Sequence, residues 1–229
     1  MIFRMTTSPL MRVVAFLSVL AVAQTIFPAL LAERTAPEHG DLTGGAKMQA
    51  TETHLNNSFA DLLMARGRSP EVPESADVYG WLVGSWELEV LHYKAVDVSA
   101  KHIKGEAHFR WVLEGRAIQD VWIMPRCSDR RPDLDKGNNM YGTTLRVWDP
   151  SIQAWRITWI NPVTGHREQQ IGRSSGKDIV QVGARPDGTP TRWRFTEITP
   201  DSFHWIGEAL EPDGKTWKIE GEFLARRLP

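Results

Sequence analysis

From Gly84 to Arg227 apolar and polar residues alternate over short runs, the period of a strand with one face buried. Ten such runs can be drawn: Gly84 to His92, Gly105 to Leu113, Arg116 to Met124, Tyr141 to Trp148, Ala154 to Ile160, Gly165 to Arg173, Asp178 to Ala184, Thr191 to Thr199, Ser202 to Leu210 and Thr216 to Arg227. Between them stand Glu114-Gly115, Asp149-Pro150, Asn161-Pro162, Ser175-Gly176, Asp187-Gly188, Pro200-Asp201 and Asp213-Gly214, pairs whose backbone preferences favour tight turns. Links this short exclude parallel crossovers, and no stretch after Leu82 has a helical period. The expected fold is therefore all-β, an up-and-down antiparallel β-barrel of about ten strands. A short helical turn from Asp77 to Leu82 is expected to plug one end.

The first part of the chain reads differently. Arg4 and Arg12 precede an apolar run from Val13 to Ala23, and Ala21-Val22-Ala23 offers the alternating small residues that a signal peptidase accepts. Export to the periplasm or beyond follows, with cleavage after Ala23, or after Ala32 at the end of a second apolar stretch. Residues 1–32 are thus expected to be a signal peptide or an N-terminal apolar segment. Gln24, Thr25 and Pro28 interrupt it, so no stable membrane span is expected. Translation from Met48 is the competing reading, and it leaves the protein in the cytoplasm. Residues 33–76, rich in Thr, Glu, Gly, Pro and Ser, read as a linker with one short helix around Phe59, Leu62, Leu63 and Met64. That helix either packs on the barrel or remains a tether. The barrel then occupies 77–229.

Composition narrows the function classes. With 41% hydrophobic and 24% charged residues and a net charge of −1, nothing in the electrostatics calls for nucleic acid or an anionic membrane. The single cysteine, Cys127, excludes an intrachain disulfide and any multi-cysteine metal site. No cofactor is expected. All ten tryptophans lie between Trp81 and Trp217. A barrel interior with so many indoles either packs solid or leaves an aromatic-walled pocket, with Trp111, Trp122 and Trp159 as candidate wall residues. Tyr141 and Trp122 fall near strand ends, where a mouth would lie, and the polar connection from Pro125 to Met140 is the natural lid.

Two polar groupings are candidates for orienting a ligand. If Glu114-Gly115 is a two-residue hairpin loop, Leu113 pairs with Arg116 and the register runs Trp111 to Ile118, Phe109 to Asp120 and Ala107 to Trp122. Arg116 and Asp120 then share the inward face. Alternatively, Arg116 sits half-solvated at a rim while Asp120 caps backbone or binds Arg146 or Arg156. In the sixth run, His166, Glu168 and Gln170 occupy one face and Arg167, Gln169 and Ile171 the other, so a closed barrel must bury some of them with partners. The other possibility is that this strand borders an open gap. His166 and Glu168 supply too few ligands for a metal, and none is expected.

The segment Leu82-Val83-Gly84-Ser85-Trp86-Glu87, a Gly-x-Trp that leads from a helical turn into the first strand, resembles the calycin superfamily of lipocalins and fatty-acid-binding proteins. More narrowly, Glu114-Gly115-Arg116 through Trp122, Tyr141-Gly142-Thr143-Thr144 and Trp155 to Pro162 look like uncharacterised bacterial calycin-like proteins with a domain of unknown function. The resemblance implies a barrel around a cavity for a small, often apolar molecule. In the related haem-binding nitrobindins the Gly-x-Trp continues as x-Gly-x-Gly. Here Glu87, Leu88 and Glu89 follow, a departure that argues against haem. The favoured function is a binding or carrier protein for a small apolar or aromatic molecule with one acidic oxygen, held by Arg116, Asp120, His166, Glu168 and Gln170 beside the tryptophans. An isomerase, cyclase or decarboxylase using the same groups, and a ligand-free structural envelope module, are the alternatives. The volume and lining of the interior separate the three. Oligomeric state is not legible.

Overall fold

In the computed structural model, which describes residues 58–229, the alternating runs close into a ring. The strands are β1 (Gly84–Tyr93), β2 (Val96–Asp97), β3 (Lys104–Val112), β4 (Ala117–Met124), β5 (Met140–Asp149), β6 (Ala154–Asn161), β7 (His166–Ser175), β8 (Asp178–Ala184), β9 (Pro190–Thr196), β10 (Ser202–Leu210) and β11 (Trp217–Arg227). Each long strand pairs antiparallel with its sequence neighbours. β11 then returns to β1, from Trp86 opposite Arg227 to Tyr93 opposite Gly221, which closes a ten-strand barrel. β2 is an extra strand hydrogen-bonded to β1 alone, and the alternation had not revealed it. The expected all-β, up-and-down barrel is the fold. The apolar N-terminal segment and most of the linker, with the export reading that rests on them, lie outside the described residues.

The period of two explains the wall. On β1, Trp86, Leu88 and Val90 are fully buried while the residues between them are half-exposed; on β6, Trp155, Ile157 and Trp159 face in and Arg156, Thr158 and Ile160 face out. The linker helix, α1 (Phe59–Leu63), is one turn closed by a capping box: Ser58 Oγ accepts from Asp61 N and Asp61 Oδ2 from Ser58 N. None of its residues is buried. The chain beyond it is held instead by backbone, Ala65 N donating to Trp111 O and Ser69 N to Gly115 O.

One end of the barrel is plugged as expected. A 3₁₀ turn at Gly80–Leu82 inserts Leu82, with Tyr79 beside it, both wholly buried. Asp77 Oδ1 accepts from Gly80 N at 2.8 Å and starts the turn. The indoles here spend their N–H groups on the plug: Trp86 donates to Leu82 O at 2.7 Å, Trp155 to Ala76 O at 2.8 Å and Trp81 to Val78 O at 2.9 Å. A buried indole with a partner carries no desolvation penalty for its N–H, so aromatics can fill this end densely. Tyr79, Trp81, Trp86, Trp155, Phe195 and Phe203 form one edge-to-face cluster with centroids 4.8 to 6.2 Å apart.

The Glu114-Gly115 hairpin departs from expectation. Its loop is four residues wide: Leu113, Glu114 and Gly115 all have positive φ, and Arg116 N donates to Leu113 O. A side chain on Gly115 would strike the backbone of Gly67 and Ser69, so the turn is seated on the linker. Leu113 and Arg116 therefore leave the pleat, and Leu113 is exposed. The inner pairs expected from the hairpin nevertheless stand: Trp111 to Ile118, Phe109 to Asp120 and Ala107 to Trp122. Among the described residues no helix is long and apolar enough to cross a membrane.

Candidate functional site

At the end opposite the plug the aromatic filling stops short, leaving an open cavity of about 570 Å³. Its walls are Trp122, Trp159, Trp193, Trp205 and Phe223. They touch in an arc, with Trp159 to Trp193 at 6.3 Å, Trp193 to Trp205 at 5.5 Å, and Trp122 on β4 reaching Trp205 on β10 across the interior at 5.7 Å. Glycines give the indoles room. A Cβ on Gly142 would fall 2.4 Å from the Trp159 ring, and one on Gly207 would fall 2.5 Å from the Trp205 ring.

The floor is polar. Arg146 and Thr144, two apart on β5, are almost completely buried and line the cavity. The Arg146 guanidinium donates to Asp120 Oδ2 at 2.5 Å, while Asp120 Oδ1 accepts from Thr144 N at 2.7 Å. It also lies over the rings of Tyr79, Phe109 and Phe195, 5.2 to 5.8 Å from their centroids, a favourable place for a cation. Burial with two compensating interactions is what a lone charge in such a place requires. Arg146 Nε has no hydrogen-bond partner.

A chain of hydrogen bonds climbs one side from the floor to the mouth. Tyr79 Oη donates to Gln181 Oε1 (3.1 Å), Gln181 Nε2 to Gln170 Oε1 (3.2 Å), Gln170 Nε2 to Thr191 Oγ1 (3.3 Å), and Thr191 Oγ1 to Glu168 Oε2 (3.3 Å). Burial pushes the Tyr79 phenol far above its ordinary range, so it stays neutral. The other Glu168 oxygen, Oε1, meets Arg185 Nε and His166 Nε2, each at 3.3 Å. Arg185 also grips Glu220 with both Nη atoms. A β-bulge supplies that partner: the register steps from Gly207 opposite Gly221 to Glu208 opposite Ile219, and the extra residue, Glu220, turns its carboxylate into the mouth. Lys94, Asn161 and Thr164 complete the rim.

The expected site residues scatter accordingly. Trp122, Trp159 and His166 line the cavity, with His166 partly solvated at the rim. Glu168 and Gln170 are buried one layer behind; β7 pairs with β6 from His166 to Gly172 but with β8 only from Gln170 to Ser175, so its His166–Gln169 half has no strand on the β8 side. Trp111 is buried near the plug against Trp155, away from the cavity lining. Asp120 is buried, but beneath Arg146. Arg116, expected to point inward, lies outside on the four-residue turn, gripped by Glu71 at 2.8 Å and by Glu114. Tyr141 is exposed too, because its strand neighbours Met140 and Gly142 take the inward face. The Pro125–Met140 connection folds onto the outer wall, Cys127 N donating to Glu106 Oε1 and Arg126 to Glu87, and only Met140 reaches the cavity. It is not a lid in this structure.

Arg146 entered sequence reasoning only as a possible partner of Asp120, and Arg185 and Glu220 escaped it. Alternation places Gly142, Thr144, Arg146 and Trp148 on one face of β5, a signal that could have singled out Arg146. The bulge behind Glu220 has no local signature. Among the described residues no group of three or more His, Cys, Asp or Glu could hold a metal ion.

The closed, Trp-rich, antiparallel barrel is compatible with a calycin-like fold. In comparisons with known proteins the chain matches no family model and no curated protein.

Proposed function

We propose that this is a binding or carrier protein for a small apolar or aromatic molecule, held in the Trp-walled end of the barrel. One observation carries the reading: an open interior of about 570 Å³ whose walls are indole and phenyl faces. That volume lies within the range of about 300 to 1,000 Å³ typical of small-molecule pockets. A structural module would gain stability by filling it, as the other end of this barrel is filled. Acid–base chemistry has weaker support, since Glu168 and Glu220 at the mouth are both engaged by Arg185. The resemblance of the Gly84-Ser85-Trp86 segment to calycins points the same way. Titrating the protein with a panel of two-ring aromatics and medium-chain fatty acids should give a saturable change in tryptophan fluorescence at one molecule per chain. A panel that produces no saturable change sinks the reading.

A further inference from the structure

The chemistry of the cavity floor narrows the ligand class. We infer that the floor selects a ligand whose buried end carries an uncharged hydrogen-bond acceptor, such as a ketone, ester or quinone oxygen, and that it disfavours a free carboxylate. The inference rests on the cavity reading above and deepens it.

Three observations lead there. Arg146 is the buried cation of the cavity lining, yet its charge is already spent: Asp120 is ion-paired with it, and three ring faces surround it. The pair sums to zero. A ligand carboxylate brought down to it would be an uncompensated negative charge close to Asp120, out of reach of bulk water, which is among the most costly things to bury. Second, Arg146 Nε still lacks an acceptor while nearly every other buried polar side-chain atom described has one. A buried donor left unmet costs roughly 1 to 3 kcal/mol, and a neutral oxygen relieves that cost without adding charge. Third, Thr144 stands beside Arg146 in the lining with a hydroxyl that can donate or accept, and Tyr79 beneath is a neutral phenol. The floor is thus a cluster of hydrogen-bonding groups with no net charge, below walls that take a flat apolar body.

Other cations stand at the rim. Lys94 and Arg185, the latter paired with Glu168 and Glu220, lie there, so any ionised group on the ligand belongs at the solvent end. This orders the ligand: neutral oxygen inward, charge outward.

A matched probe set tests the proposal. Naphthalene, 2-acetylnaphthalene and 2-naphthoate share one ring system and differ only in the group offered to Arg146. Dissociation constants at pH 7.5, by calorimetry and tryptophan quenching, should rank the ketone about tenfold tighter than naphthalene, one added hydrogen bond. The ketone should also bind at least about tenfold tighter than the carboxylate, by the cost of the buried charge. Asp120→Asn leaves Arg146 uncompensated and should reverse the second ranking, while Arg146→Met should level the ketone with naphthalene. Naphthoate binding as tightly as the ketone to the unaltered protein overturns the inference, as does equal affinity for the ketone and naphthalene. These rankings need no variant to fold. If none of the three probes binds, the cavity reading itself has failed, a result distinct from binding in the wrong order.

Discussion

The two ends of the barrel are built from the same residue types and do opposite things. At the plugged end, Trp81, Trp86 and Trp155 each donate to a backbone carbonyl of the segment that fills the barrel, and Phe195 and Phe203 close the remaining space. At the open end, Trp122, Trp159, Trp193 and Trp205 line the cavity, with Trp159 and Trp205 set back over Gly142 and Gly207, and no segment of the described chain covers them. Tryptophan content alone therefore says little about a cavity. What decides is whether a chain segment arrives to satisfy and cover the rings. The difference also separates stability from function: the filled end is where a lost ring should be felt most by the fold, the empty end where it should be felt most by a ligand.

The sharpest way to break this contrast is to remove one indole from each end. Trp86→Ala should cost about 3 to 5 kcal/mol, as for other buried large-to-small changes. Trp193→Ala, which already faces empty space, should cost no more than about half of that. Urea denaturation measures both, and equal losses would erase the distinction. A smaller effect is expected from Gly142→Ala. Its methyl would press on Trp159 and on the Ile160 carbonyl, at an overpacking cost of about 1 to 3 kcal/mol, and it would push the indole into the cavity. Affinity for naphthalene should fall along with stability; unchanged affinity would mean that Trp159 does not shape the pocket. The smallest effect concerns the plug's own carboxylate. Burial raises the Asp77 carboxyl above its ordinary value, more than Gly80 N and Arg68 lower it. A folded value above the unfolded one of about 3.9 means that this group's contribution is fully present below that pH and is lost as pH rises through the folded value. Asp77→Asn keeps a side-chain oxygen for Gly80 N and removes the titration. The variant should gain on the unaltered protein between pH 3 and pH 7, and parallel melting curves across that range would refute the assignment.

How far the chain could be read from its letters shows most clearly at the Glu114-Gly115 hairpin. The expected pair, Leu113 with Arg116, does not exist, yet the pairs beyond it do. A loop widened by one residue on each side leaves every later pairing unchanged, so the register survived an error in the loop. The two residues that were misplaced are the two that the widening released. Their release depends on Gly115 lying against Gly67 and Ser69, and on Glu71 waiting for Arg116, contacts between distant parts of the chain that no local pattern encodes. Periodicity was enough for the ring of strands, and it required polar groups inside at β7 without choosing the face. It also left Asp120 a choice of partners that included Arg146, the one it has. What it lacked was any hint of Glu220, because a bulge breaks the very period from which facing is read.

The seam between β1 and β11 has a kinetic meaning. Every other strand finds its neighbours close by in sequence, whereas this pair joins Trp86 to Arg227 and carries the largest loop-closure entropy in the barrel. Folding that depends on so distant a contact is slow. Until β11 docks, β1 and β10 each present a row of unpaired backbone groups, the geometry that invites another chain to add a strand. The last strand thus completes the cavity wall and at the same moment withdraws the long edges of β1 and β10 from any other chain.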